Sequence, residues 1–469
     1  DLYCYMQRRR RSVKKERAVP RILLCAPASG SGKTLITCGI LQALVNRGKK
    51  VASFKCGPDY IDPMFHGRVI GTKSRNLDTF FTDSNTTRYL FAENTADCDL
   101  AVVEGVMGYY DGLGGVSTDG STYDVARTLS MPSVLIVNSR GASLSILATI
   151  KGFLSFREDS QIRAVILNQV SPMIYAQLKP LIEQELGVQV LGYVPKLTDL
   201  NLESRHLGLV LPGEIEALKE KLKRLASALE ETLNLDELLR LAEMTEPINY
   251  EEPKLPVLEH SVKVAVAADD AFCFTYLDNL SLLEKMGAKL VFFSPLKDTE
   301  LPEGISGMIL SGGYPELHGK ELAANRSMRQ SVKKAIKQGM PCIAECGGFL
   351  YLHRELEDQD GIFYPMAEVL DAKAYRTNKL GRFGYINLTA NEAQLLGDKG
   401  MTIRGHEFHY WESEQCGESF HAKKPVGKRQ WDCVNGNETL YAGFPHLFFW
   451  SAPEAACTFL KKCEEYGTC

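Results

Sequence analysis

The chain has 469 residues, of which 45% are hydrophobic and 24% are charged, and its formal net charge is −4. This length exceeds one ordinary core and predicts two large α/β domains of a globular enzyme. The charge gives no general reason to bind nucleic acid or a membrane, and no apolar stretch approaches the roughly 20 residues that span a bilayer. The thirteen cysteines lack paired spacing, so we expect reduced thiols in a cytoplasmic protein.

The chain opens with a basic run that includes Arg8 to Arg11. We expect residues 1–20 to be a disordered, solvated tail. After it, apolar β-rich runs alternate with helical stretches up to about Val194, which predicts a doubly wound parallel sheet in a domain of residues 21–212. A charged helical stretch interrupted by prolines then predicts a connector at 213–258, followed by a second α/β domain at 259–469.

A glycine-rich turn, LCAPASGSGKTL at 24–35, stands between an apolar run and a helical pattern. This layout is typical of a nucleotide-phosphate loop, although Pro27 replaces the usual first glycine. Backbone N–H groups at a helix N-terminus would surround the phosphates, the lysine would neutralise them, and the threonine would hold Mg²⁺. The sequence therefore predicts ATP and Mg²⁺ bound by Gly30, Ser31, Gly32, Lys33 and Thr34.

Acidic residues follow two predicted strands, in FKCGPDYIDP at 54–63 and in LAVVEGVMGYYDG at 100–112. Phosphoryl transfer needs carboxylates to fix the metal that bridges the phosphates, so Asp59 and Glu104 are candidate metal ligands. A turn rich in glycine, proline and aspartate is the alternative for the first segment. The candidate substrate contacts are Asp59, Tyr60, Asp62, Asp111, Ser121 and Thr122.

The segment MPCIAECGGFLYL at 340–352 has the pattern of a strand, a cysteine, two glycines and a helix. We interpret it as a nucleophile elbow in which Cys346 is exposed at a helix N-terminus that lowers its pKa. Gly347 would supply an oxyanion donor, with further donors in SGGYPE at 311–316. Cys342, within the strand, is predicted to be structural.

A thiol nucleophile needs a base, and spacing alone cannot choose among His406, His409, His421 and His446. The motifs APASGSGKT, KCGPDYIDP, VVEGVMGYYDG, SGGYPE, AECGGFLYL and GHEFHYW together resemble the cobyrinic acid a,c-diamide synthase family over about residues 21–462. The resemblance implies a dethiobiotin-synthetase-like P-loop domain followed by a class I glutamine amidotransferase-like domain. The reaction that it implies is amidation of corrinoid acetates at the c and a positions through acyl phosphates.

By matching position, the resemblance implies that Thr34, Asp59 and Glu104 bind magnesium and that Asn168 binds the adenine. It also implies that Cys346 attacks glutamine, His446 carries the proton, and Gly347 helps to hold the oxyanion. Phe448 stands where many class I glutaminases place the acid of a His-x-Glu triad, so something else must orient His446.

The same chemistry on nickel-sirohydrochlorin or a sirohaem-type tetrapyrrole is an alternative, and the sequence barely separates the two. A partitioning-type ATPase shares the phosphate-loop fold but has no use for a thiol elbow. The partners expected are small molecules, namely a tetrapyrrole polyacid, glutamine and ATP, and a homodimer stays open.

Overall fold

Seven parallel strands form the main sheet of the first of two structural units, in the order β4-β3-β5-β2-β6-β7-β8. The computed structural model describes residues 13–200, 202 and 212–468, and the units are Asp1–Pro253 and Lys254–Cys469. The strands of the first unit are β1 (Lys14–Arg17), β2 (Arg21–Cys25), β3 (Val51–Cys56), β4 (Lys73–Leu77), β5 (Leu100–Glu104), β6 (Ser133–Asn138), β7 (Ile162–Asn168), β8 (Gln189–Val194) and β9 (Ile248–Glu251).

The central strands β2, β3 and β5 are buried along their whole length. Helices cover such a sheet on both faces, which is why these strands read as nearly continuous apolar runs. The helices are α1 (Lys33–Asn46), α2 (Ile61–Phe65), α3 (Ser84–Thr95), α4 (Thr122–Thr128), α5 (Ser145–Ser155), α6 (Pro172–Leu186), α7 (Pro212–Thr232) and α8 (Leu235–Glu243), with a π-helical turn at His66–Ile70 and a 3-10 turn at Leu113–Gly115.

The segment expected as a helical connector, 213–258, differs in the structure. Helix α7 packs its leucines into the core of the first unit, and a Cβ on Gly39 of α1 would lie 2.4 Å from Leu229. Its apolar stripe is therefore used for packing, and the division between the units falls after Pro253. The expected tail differs too, because β1 pairs antiparallel with β9; residues 1–12 of that tail lie outside the described residues.

The second unit contains three sheets. A six-stranded sheet has the order β11-β10-β12-β13-β23-β22, in which only β22 runs antiparallel. The other two have the orders β15-β14-β16-β19 and β21-β20-β17-β18-β24. The strands are β10 (Val262–Ala267), β11 (Ala288–Phe293), β12 (Gly307–Leu310), β13 (Cys342–Glu345), β14 (His353–Glu357), β15 (Phe363–Pro365), β16 (Leu370–Arg376), β17 (Phe383–Ala390), β18 (Thr402–Phe408), β19 (Trp411–Ser413), β20 (Phe420–Lys423), β21 (Gln430–Cys433), β22 (Asn435–Gly436), β23 (Leu440–Gly443) and β24 (His446–Leu447).

Residues 254–468 also form five helices and two 3-10 turns, and the strand β13 that leads to Cys346 lies inside the six-stranded sheet. All described cysteines are free thiols, and none of the described helices has the length and apolar character needed to cross a bilayer. The helices are α9 (Leu277–Lys285), α10 (Gly319–Ala324), α11 (Arg326–Lys337), α12 (Gly347–Tyr351) and α13 (Pro453–Gly467), with 3-10 turns at Pro315–Leu317 and Phe449–Ser451.

Candidate active sites

The phosphate loop joins the end of β2 to the start of α1. Gly30 and Gly32 have φ values of 78° and 90°, a left-handed conformation that favours glycine. A side chain at position 32 would also clash, because a Cβ on Gly32 would lie 2.3 Å from the Asn168 amide nitrogen. That amide donates to the Ser31 carbonyl over 2.9 Å, and the Ser31 hydroxyl donates to the Ala28 carbonyl over 2.8 Å. The loop is therefore held in shape by its own neighbours.

Asn168, expected at the adenine, is buried at the end of β7, and its side-chain amide contacts the phosphate loop. Lys33 is the first residue of α1, and its ammonium donates to the carbonyls of Met107 over 2.8 Å and Ala28 over 3.4 Å. Burial and the nearby Lys55 lower the pKa of Lys33. Two carbonyls are weak compensation for a buried ammonium, so this position favours an incoming polyanion.

Glu104 ends β5 and is the centre of a charged cluster in the first unit. Its Oε1 accepts hydrogen bonds from the Thr34 hydroxyl and the Lys55 ammonium, each over 2.9 Å. Lys55 also pairs with Asp62 over 2.8 Å. Burial alone would lower the pKa of Lys55, but the two carboxylates outweigh it and raise that pKa well above its usual range. The register of β3 against β5 places Lys55 directly opposite Glu104, so parallel pairing assembles this cluster.

The carboxylate of Glu104 is fully buried, and its second oxygen, Oε2, has no hydrogen-bond partner. It lies 3.6 Å from Nε2 of the buried His66. An unsatisfied buried oxygen is costly, and the Glu104 carboxylate and the Thr34 hydroxyl beside it offer hard oxygen atoms of the kind that Mg²⁺ prefers. The residues therefore fit a Mg²⁺ ion held through few carboxylates, although no group of three or more His, Cys, Asp or Glu in the described chain is arranged to hold a metal.

Asp59 was expected as a ligand beside Thr34 and Glu104, and no hydrogen bond in the structure joins it to either. Its carboxylate accepts the backbone N–H of Ile61 over 2.8 Å. Burial, together with the charge of Asp62, raises the pKa of Asp59 to about 7. Lys55 overcomes burial at the second carboxyl and lowers the pKa of Asp62. The two acids are thus prepared for different protonation states, and Tyr60 between them is buried.

Two of the expected substrate contacts occupy structural positions. Ser121 and Thr122 are fully buried, and the Ser121 hydroxyl caps α4 by accepting from the Asp124 N–H. Thr122 bonds both backbone groups of Val106. These hydroxyls fix the loop after Glu104, and their contact with substrate stays a prediction. Asp111 is exposed in that loop and accepts the Gly108 N–H over 3.0 Å, so it stays a candidate contact.

Cys346 occupies a strained turn between β13 and α12 in the second unit. Its φ of 44° and ψ of −100° are unusual for a residue with a side chain, and such strain is a feature of nucleophile elbows. Gly348 is required because a Cβ there would lie 2.0 Å from the Leu310 carbonyl oxygen. Cys342, as predicted, is fully buried within the strand.

The expectation that the helix lowers the pKa of Cys346 is not supported. The thiol is 8% exposed, and burial, with smaller contributions from Glu316 and Glu407, raises its pKa well above its usual range. A hydrogen bond from the Gly347 N–H opposes this shift without overcoming it. A helix of five residues has only a small dipole. The thiol is therefore protonated at rest and requires a base.

His446, at β24, is the histidine placed against this turn. Gly312 lies next to both: a Cβ on Gly312 would lie 2.6 Å from His446 Cε1, and a Cβ on Gly347 would lie 3.2 Å from the Gly312 carbonyl carbon. His446 Nδ1 lies 3.7 Å from Glu345 Oε2. Glu345 is therefore an acid close to His446, at ion-pair rather than hydrogen-bond distance. Its position directly before the thiol in AECGG is a signal that the sequence analysis did not use.

The other histidines have different surroundings. His409 has both ring nitrogens occupied, by the Trp411 carbonyl at 2.7 Å and Glu407 at 3.0 Å, and it stacks on Phe444. His421 pairs with Asp432 away from the thiol, on the strands β20 and β21. His406 stacks on His446 with ring centroids 4.9 Å apart, and burial, together with His446, lowers its pKa well below the usual range. A neutral His406 can support His446 but competes poorly as a charged proton carrier.

Two family models match successive parts of this chain. Residues 22–210 match the family model described as the CobQ/CobB/MinD/ParA nucleotide binding domain, and residues 263–454 match the CobB/CobQ-like glutamine amidotransferase domain. Among solved structures, the MinD cell division protein of Aquifex aeolicus is 18% identical, with a TM-score of 0.29, over 45% of this chain and 97% of its own. A glutamine amidotransferase is 20% identical, with a TM-score of 0.31, over 43% of this chain and 98% of its own.

Curated relatives match nearly the whole chain. A cobyrinate a,c-diamide synthase of Caldanaerobacter subterraneus is 38% identical over 95% of this chain and 98% of its own length. The enzyme of that name from Listeria innocua is 39% identical over 92% and 97%, and that of Thermoplasma volcanium is 40% identical over 96% and 98%. The chain therefore belongs to the cobyrinate a,c-diamide synthase family and is a glutamine-dependent ligase.

Proposed function

We propose that this chain converts the a and c acetate carboxylates of cobyrinic acid to carboxamides, with ATP and glutamine as co-substrates in the cytoplasm. The observation that carries the proposal is the pairing of two reaction centres in one chain. One unit holds Lys33, Thr34 and Glu104 at the carboxyl end of a parallel sheet. The other holds the strained turn at Cys346, and Gly312 lies next to both this turn and His446.

In the first unit, the acetate oxygen attacks the terminal phosphorus of ATP and ADP leaves, which gives an acyl phosphate. Lys33 would neutralise the transferring phosphoryl group. Thr34 and Glu104 would hold a Mg²⁺ ion, which would supply further stabilisation of the developing negative charge. Lys55, which the sequence analysis overlooked, adds a second cation within 2.9 Å of Glu104. Its ammonium is suited to stabilise the negative charge of the acyl phosphate. Ammonia then attacks the acyl carbon, and phosphate leaves.

In the second unit, His446 takes the proton of the Cys346 thiol as the sulfur attacks the carboxamide of glutamine. Glu345 stabilises the imidazolium that forms, and the Gly347 N–H supports the tetrahedral oxyanion. Ammonia leaves with the proton from His446, and water then hydrolyses the glutamyl thioester to glutamate. A raised pKa for the thiol suits this concerted proton transfer, because it limits side reactions of a free thiolate.

Incubation of the purified chain with cobyrinic acid, ATP, Mg²⁺ and glutamine tests the proposal. We expect two successive carboxyl-to-carboxamide mass changes, with one phosphate and one glutamate formed for each. Parallel reactions contain nickel-sirohydrochlorin or sirohaem in place of the corrinoid. Faster amidation of either of those would reject the corrinoid as substrate, and no ATP-dependent mass change with any macrocycle would reject the reaction itself.

Replacing His446 by asparagine is expected to reduce glutamine-dependent amidation by about 10²–10⁴-fold, the range for loss of a general base. Amidation supported by added ammonia should persist. The matched change is His406→Asn, which removes the stacked neighbour and should cost about tenfold or less, since a neutral imidazole supports position only. Steady-state kinetics with both nitrogen sources compare the variants. A larger loss in His406→Asn than in His446→Asn would transfer the base to His406.

A further inference from the structure

One end of the five-stranded sheet in the second unit exposes aromatic rings and cations together. Here β17 and β21 begin and β18 and β20 end. Phe383 and Phe408 are cross-strand partners with 51% and 55% of their surface exposed, and Tyr410, 45% exposed, has its ring 5.9 Å from that of Phe408. We call this surface the aromatic–cationic patch, and it consists of Phe383, Phe408, Tyr410, Arg382, Lys424 and Arg429.

The three cations of the patch have no carboxylate within ion-pair distance among the described residues. Lys424 donates to the Phe383 carbonyl over 2.7 Å and lies above that ring, and Arg429 donates to the Gly381 carbonyl. Arg382 lies over Trp431, and its Nη1 is buried without a hydrogen-bond partner. Glu407, a nearby acid, already accepts from His409 and Trp431. The positive charge is therefore left for a ligand that carries several anions.

Exposed aromatic rings of this size are uncommon on a surface that binds nothing. Stacking on them favours a flat conjugated ligand, and the cations favour carboxylates around its rim. The patch is also continuous with the glutaminase centre, because His406 precedes Phe408 by two residues on β18 and its ring stacks on His446. A ligand at this end of the sheet lies next to the residues that release ammonia.

We propose that the aromatic–cationic patch is a docking surface for the tetrapyrrole polyacid, an inference that rests on the proposed function. Phe383 and Phe408 receive the face of the macrocycle, and Tyr410, whose ring stands at 90° to that of Phe408, borders it. Arg382, Lys424 and Arg429 pair with peripheral carboxylates of the macrocycle. Because this recognition uses both charge and stacking, binding weakens as the ionic strength rises. Substitution of the rings and substitution of the cations each weaken binding independently.

The experiment measures binding of cobyrinic acid to the full chain, without ATP or glutamine, by tryptophan fluorescence and equilibrium dialysis. Phe408→Ser and Arg382→Gln are each expected to raise Kd about tenfold, within the range for loss of one stacked ring or one ion pair. Arg382→Gln should also reduce the salt dependence of Kd. The KM for the macrocycle in ammonia-driven amidation should rise in parallel with Kd.

The matched control is an aromatic and cationic pair elsewhere in the second unit. Phe363 is 39% exposed with Lys373 above its ring at 5.1 Å, but Lys373 is already paired with Glu355 over 3.2 Å. Phe363→Ser and Lys373→Gln should leave Kd within about twofold, because a neutralised cation has less to offer an anion. Melting temperatures of all variants verify the fold; if Arg382→Gln is unstable, the exposed Phe408→Ser carries the test.

Unchanged Kd and KM in both patch variants would overturn the docking surface. If Kd and KM were unchanged and Phe408→Ser dissociated a dimer of the wild-type chain, the docking surface would again be overturned. The patch would then be assigned to contact with a second copy of the chain. If the wild-type chain amidates cobyrinic acid and the patch variants bind it as tightly as the wild type does, only the docking surface is contradicted. A wild-type chain that neither binds nor amidates any macrocycle instead contradicts the proposed function.

Discussion

Replacing Cys346 by alanine is expected to abolish amidation from glutamine while amidation from free ammonia continues. Removing a nucleophile that works as a unit with its base lowers such a reaction by on the order of 10³-fold or more. The first unit does not use this thiol, so kcat with ammonia should stay within about threefold. Amide formation measured with each nitrogen source, with glutamate release followed in parallel, compares the two activities.

Cys342→Ala is the matched control, since Cys342 is a fully buried thiol on the same strand, four residues before the nucleophile. Its loss removes a small buried group and should change both activities little, at a modest cost in stability. If Cys346→Ala also lost the ammonia-driven reaction, the division of labour between the two units would be contradicted. If it kept glutamine hydrolysis, Cys346 would not be the nucleophile.

The features that could be predicted from the sequence are those that a few consecutive residues form on their own. The phosphate loop and the thiol elbow each need only a strand end, a few glycines and the start of a helix, and both were found where expected. The strands β2 and β5 were readable because they are apolar along their whole length. Edge strand β4, with the sequence KSRNL, carries no such signal, because only its Leu77 and Ser74 are buried.

Contacts across long sequence separations were the ones that local patterns missed. Lys55 meets Glu104 only because β3 and β5 pair in parallel register, and Glu345 meets His446 only because β13 lies beside β23. The apolar stripe of α7 was visible in the sequence as a charged amphipathic helix. Which surface covers that stripe depends on the packing of Leu225 and Leu229 against α1, and no local rule gives it.

Burial accounts for the site predictions that changed. The sequence analysis placed Ser121 and Thr122 in a loop that could contact substrate, and it expected Cys346 to be exposed at a helix N-terminus. The structure buries all three, so two hydroxyls become supports for a loop, and the pKa of the thiol rises. Polar residues near a strand end can either face the ligand or hold the loop that does, and only the direction of the side chain distinguishes these roles.

Replacing Glu104 by glutamine is expected to remove ATP-dependent amidation with either nitrogen source, by roughly 10²–10³-fold, the cost of losing one group that stabilises developing charge. The change keeps the shape of the side chain but removes the charge that holds Lys55 and leaves the Thr34 hydroxyl without its anionic acceptor. Lys55 still pairs with Asp62 at 2.8 Å, so the buried ammonium keeps one carboxylate partner and we expect the variant to fold.

Ammonia-driven and glutamine-driven amidation, with nucleotide binding followed by a fluorescent ATP analogue, measure the effect of Glu104→Gln. The control is Glu230→Gln, which removes a half-exposed partner of Arg47 in the same unit and should leave both activities near those of the wild type. Because we propose that Glu104 holds the metal and that Cys346 does not, loss of the ammonia-driven reaction separates the two variants. An active Glu104→Gln enzyme at ordinary Mg²⁺ concentration would remove this carboxylate from the phosphoryl-transfer site.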